Sequence, residues 1–117
     1  MKLERVLPIA EVRRGTIWGD VVLCSVEVWN RLIVSHAAII QLPPFADRPP
    51  FGWLCQDDLG TEFPIAGGGG GGGRGDNWNE ARLYAVHVRW SGVIPDRAGR
   101  LTITCPGVEE PFDVNLS

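Results

Sequence analysis

Apolar residues in this chain recur at every second position, in short runs punctuated by glycine, proline and asparagine. A strand throws successive side chains to opposite faces, so this period buries one face and leaves the other mixed. In "DVVLCSVEVW", Val22, Cys24, Val26 and Val28 alternate with Leu23, Ser25 and Glu27. "WNEARLYAVHVRW" puts Tyr84, Val86, Val88 and Trp90 in one phase, with His87 and Arg89 in the other. "LTITC" aims Leu101, Ile103 and Cys105 inward, and "PFDVNL" does the same with Phe112, Val114 and Leu116. No window of a dozen residues holds an apolar stripe of helical spacing free of β-branched runs, Gly or Pro.

The punctuation sets the order of the strands. Asn30-Arg31 is a tight reversal between the strand ending at Trp29 and the apolar "LIVSHAAIIQL", with Asn expected to supply a positive φ. Pro43-Pro44 and Pro49-Pro50 cannot join a ladder, so a loop follows. Asp57-Asp58-Leu59-Gly60 is a turn between Trp53–Gln56 and Thr61–Phe63, with an aspartate accepting a backbone N–H to fix it. With a first strand near Leu3 to Ile9, seven to eight strands are expected. The fold class is all-β: an antiparallel two-sheet sandwich in a single domain, residues 1–117.

Several of these pieces occur together elsewhere. The turn Asp57-Asp58-Leu59-Gly60-Thr61, the run Gly67 to Gly73, Pro95 and Leu101-Thr102-Ile103 resemble those of small immunoglobulin-like sandwich domains in uncharacterised bacterial proteins, actinobacterial ones especially. The resemblance covers the chain from about Asp20 onward and implies an immunoglobulin-like architecture. Its motifs are turn chemistry, so it carries over no catalytic residue.

"AGGGGGGGRGDN" is the unusual segment. A phosphate cradle needs glycines at fixed offsets opening onto a helix, with Lys and Ser/Thr; none of these follows. The flanks are too short for two domains. Glycine loses the most entropy on ordering, so residues 66–77 are expected to form a flexible loop. Arg74-Gly75-Asp76 matches an adhesion tripeptide, a match that a Gly/Arg-rich segment produces by chance.

Composition excludes whole classes. Eleven basic residues scattered among fourteen acidic ones, net charge −3, provide no Lys/Arg stripe for nucleic acid. The longest apolar run, Leu32 to Phe45, is too short to span a bilayer and holds His36 and two prolines. The charged start has no signal-peptide core, and a cytoplasmic location is expected. Three cysteines without CxxC spacing fit reduced thiols; whether two of Cys24, Cys55 and Cys105 pair stays open at this level.

Chemistry-bearing residues are few. Ser35 and His36 are neighbours on a strand and face opposite ways, so they cannot act as a nucleophile–base pair. Two histidines and three cysteines have no metal-ligand spacing, and Asp57, Asp58 and Glu62 lack that of a calcium loop. No catalytic residue, metal or cofactor is expected. Five tryptophans are an excess, and Trp29, Trp53 and Trp78 are the candidate contact rings. The expectation is a non-catalytic protein-interaction or structural module, contacting a partner or itself through strand edges. The alternative is a carbohydrate-binding sandwich that uses those three rings as a platform.

Overall fold

Nine antiparallel strands form among the described residues, most of them from alternating segments. The computed structural model describes residues 1–15, 19–41, 52–72 and 82–117. In chain order the strands are β1 (Leu3–Arg13), β2 (Asp20–Trp29), β3 (Leu32–Gln41), β4 (Leu54–Asp57), β5 (Glu62–Phe63), β6 (Ile65–Gly72), β7 (Arg82–Ser91), β8 (Arg100–Thr104) and β9 (Phe112–Asn115). They make a five-stranded sheet in the order β1-β2-β3-β7-β6 and a four-stranded sheet in the order β5-β4-β8-β9. The two sheets pack as a β-sandwich around one apolar core. No helix occurs among the described residues.

The ninth strand corrects the reading of the glycine run. Residues 66–72 are not a loop but part of β6, which pairs with β7 from Ile65↔Trp90 to Gly72↔Tyr84. A ladder is made by backbone N–H and C=O, which glycine supplies as well as any residue; strand propensity is read from side chains, and from Gly67 to Gly72 there are none. Residues 73–77, with Arg74-Gly75-Asp76, lie outside the described residues.

The inward faces of β7, β8 and β9 follow the alternation, but β2 does not. Its ladder to β3 jumps from Leu23↔Ala37 to Ser25↔His36. An extra residue in one strand shifts the side-chain phase by one. The buried set is therefore Val21, Leu23, Val26 and Val28, while Cys24 is turned to the exposed face. The neighbouring ladder is irregular at the same place, between Pro8↔Ser25 and Glu11↔Leu23. There Ala10 takes a φ of 57°, the one positive value among the described non-glycine residues. Asn30 accordingly has no left-handed backbone; it ties the hairpin to the N-terminus, with its N–H donating to Lys2 O at 3.0 Å and its Oδ1 accepting from Lys2 N at 3.2 Å.

Large side chains from both sheets meet in the middle: Leu23, Ile33, Ile39 and Trp90 against Trp53, Leu101, Ile103 and Phe112. Trp90 Nε1 donates to the carbonyl of Trp53, just ahead of β4, at 3.2 Å, so the indole joins the sheets and keeps its polar atom satisfied. Burying each ring contributes about 4–6 kcal/mol by area, an upper figure because the unfolded chain is itself partly collapsed.

The two sides of the sandwich close differently. On one, Arg13 donates from Nε to Pro111 O at 3.3 Å and lies 5.0 Å over the Phe112 ring, while Arg5 donates to Leu116 O. These arginines lay their stems over the seam between β1 and β9. The opposite side is bordered by β5 and by β6, which has no side chain from Gly67 to Gly72.

Candidate functional site

That bare side is where the geometry concentrates. Gly67, Gly69 and Gly71 share the outer face with Arg89, His87 and Ala85, and Gly68 and Gly70 share the inner face with Val88 and Val86. Side chains of β7 fill the space that β6 side chains would need. A Cβ on residue 70 would stand 2.6 Å from Tyr84 Cε1 and 2.7 Å from the Ala85 carbonyl oxygen. At position 67, where φ is +151° beside a bulge, it would stand 2.6 Å from Arg89 Nη2. His87 Cε1 lies 3.0 Å from the corresponding point at Gly69. Tyr84, His87 and Arg89 thus fold over the glycine strand, on both of its faces.

Between the sheets this leaves an apolar cleft of ≈ 220 Å³, walled by Trp53, Tyr84, Val86 and Val88 and roofed by Gly68 and Gly70. Apolar side chains line it almost throughout, and Ile65, 55% exposed, stands at its mouth. A wider, more polar hollow of ≈ 420 Å³ adjoins it along β4 and β5, past Phe63 and Pro64. Among the described residues, β7 is the one strand paired with β6, and the other edge of β6 is open.

Of the three candidate rings, the two among the described residues do not form a platform together. Trp53 is 2% exposed, its ring in the core, so it cannot offer a face to a sugar. Trp29 is half-buried at the end of the β2–β3 hairpin, and its Nε1 donates to Glu27 Oε1 at 3.0 Å. Trp78 lies outside the described residues. Sequence reasoning missed Tyr84, Val86 and Val88 as cleft walls. The signal was present: a strand of bulky alternating residues beside a run with no side chains.

Several titratable groups elsewhere are tied down or buried. Glu27 also holds His36 Nε2 at 2.7 Å, on the outer face of the five-stranded sheet. Ser35 is fully buried, with its hydroxyl 3.4 Å from Val88 O, on the opposite face from His36. Burial pushes the Cys55 and Cys105 thiols up to about 12, with the Asp57 charge adding to the effect at Cys55. All three cysteines are free thiols. Burial opposes ionisation of Asp57, but hydrogen bonds from Thr61, Leu59 and its own N–H outweigh it and hold the carboxyl below its usual range. Its Oδ1 accepts Leu59 N at 3.0 Å and Thr61 N at 2.8 Å, which fixes the β4–β5 turn around Gly60. Asp58 braces the same turn by accepting Gly99 N at 3.1 Å.

Among the described residues no cluster of three His, Cys, Asp or Glu side chains could hold a metal ion, and no helix is long and apolar enough to cross a membrane. The outer face of the five-stranded sheet carries a second apolar feature, the row Val12↔Val22, Ala38↔Ala85, with Leu83 60% exposed nearby. Comparison with known proteins returned no match to a family model, a curated protein or a solved structure.

Proposed function

We propose that this chain is a non-catalytic, immunoglobulin-like interaction module of the cytoplasm that engages a protein partner through a sheet edge. With β1 set aside, the order β2-β3-β7-β6 over β5-β4-β8-β9 supports the immunoglobulin-like assignment, in which A-B-E-D faces C′-C-F-G. The observation that carries the functional reading is the edge of β6 that no strand among the described residues covers. Edge strands are ordinarily guarded by charge, proline or a covering segment, because their unpaired N–H and C=O groups invite another chain. From Ile65 to Gly72, β6 contains no charged residue and no proline. The non-catalytic part rests on chemical state: two of the three thiols are held protonated, and the nucleophilic Ser35 is shut in the core. A reduced compartment suits three unpaired thiols, and the net charge of −3 favours protein over nucleic acid.

Sedimentation of the purified chain, together with cross-linked affinity purification from its host, tests this reading. A stoichiometric complex or a concentration-dependent dimer is expected. A chain that sediments as a monomer and captures nothing specific overturns it.

A further inference from the structure

We infer that the open edge of β6 and the cleft beneath it are one binding site, for an extended protein segment that alternates apolar with acidic side chains. The inference rests on the interaction-module reading and names its site and the chemistry of its partner. An added strand hydrogen-bonds to a free edge through its backbone and uses alternate side chains for specificity. Residues entering opposite Gly68 and Gly70 would face inward, over a cleft that no β6 side chain fills. At ≈ 220 Å³ it exceeds the ~150 Å³ apolar cavity known to accept benzene, so one branched or aromatic side chain fits.

The intervening residues would face outward, and there Arg89 supplies a positive charge. Arg89 makes no ion pair with any described residue, and its guanidinium already lies across Gly67; the His87 ring lies across Gly69. Neighbouring strands are about 4.8 Å apart, so both groups sit within one strand spacing of an added strand, with no β6 side chain between. Carboxylates at those positions would complement them. The same geometry disfavours a second copy. Two β6 edges paired with each other would bring both Arg89 side chains onto one face and set glycine against glycine, with nothing to pack.

The test uses the full chain and a capped decapeptide alternating Leu with Glu, followed by amide and indole NMR. Shifts confined to Gly67–Gly72 and the Trp53 indole are expected, together with binding weakened about tenfold or more when Lys replaces Glu. Arg89→Glu, an exposed change, should reverse the preference between the two peptides. Val86→Phe, which fills the cleft, should abolish binding of both. No binding by either peptide, or binding indifferent to Arg89→Glu, overturns the inference. Peptide shifts at Val12, Val22 and Leu83 instead also overturn it, yet leave the interaction-module reading standing. Protection of the β6 amides that grows with protein concentration alone would replace the peptide with a second copy.

Discussion

Asp57 shows how much one side chain can specify. Its carboxylate satisfies two backbone N–H groups that the β4–β5 turn would otherwise leave unpaired. Because the folded carboxyl is held below its ordinary value, its contribution is present above the unfolded pKa of about 4. It is lost as pH falls below that value and through the lower, folded one. Asp57→Asn should therefore cost about 1–2 kcal/mol at neutral pH and much less in acid. Urea titrations at several pH values measure the gap between the two proteins; a gap that stays constant would refute the assignment. The cysteines give a second residue-scale expectation. Exposed Cys24 should react with a thiol reagent in the native protein, whereas Cys55 and Cys105, buried and pushed up to about 12, should wait for unfolding. Native release of two or three equivalents would contradict this burial pattern.

At the level of elements, β6 separates what a strand needs from what usually announces one. Its ladder is backbone, and the volume it lacks is supplied by Tyr84, His87 and Arg89 from β7. Two glycines one position apart should then respond oppositely to the same change. Gly70→Val meets the Ala85 carbonyl and the Tyr84 ring, an overpacking that should cost about 1–3 kcal/mol. Gly71→Val meets nothing within 4 Å, and should be neutral or stabilising by up to about 1 kcal/mol through lower unfolded-state entropy. Thermal melts of both variants decide it, and equal losses would mean that the register of β6 is different. Strand β2 carries the other element-scale lesson. Alternation correctly marks it as half-buried, but the bulge at Cys24 resets the phase, so periodicity alone aims half of it the wrong way.

For the whole molecule, the indoles of Trp90 and Trp53 hold the two sheets as one cooperative unit. Trp90→Ala should cost about 3–5 kcal/mol, the range for deleting a buried aromatic ring. Trp90→Phe, which keeps most of the volume but loses the indole's hydrogen bond to the Trp53 carbonyl, should cost about 1–3 kcal/mol. In both, far-UV and near-UV signals should be lost together, as in a two-state transition; separate midpoints would mean that the sheets unfold independently. The local pattern carries the fold class and the inward faces of β7, β8 and β9, because a period of two needs only neighbouring residues to be read. It carries the β4–β5 turn as well, because Asp and Gly act within four positions of each other. The phase of β2, the ordering of the glycines, the burial of Trp53 and the cleft beneath β6 each depend on residues distant in the chain. A bulge is defined by its partner strand, and a glycine run becomes a strand when a neighbour's side chains take its missing volume. A cavity, likewise, exists where two sheets meet and no side chain reaches.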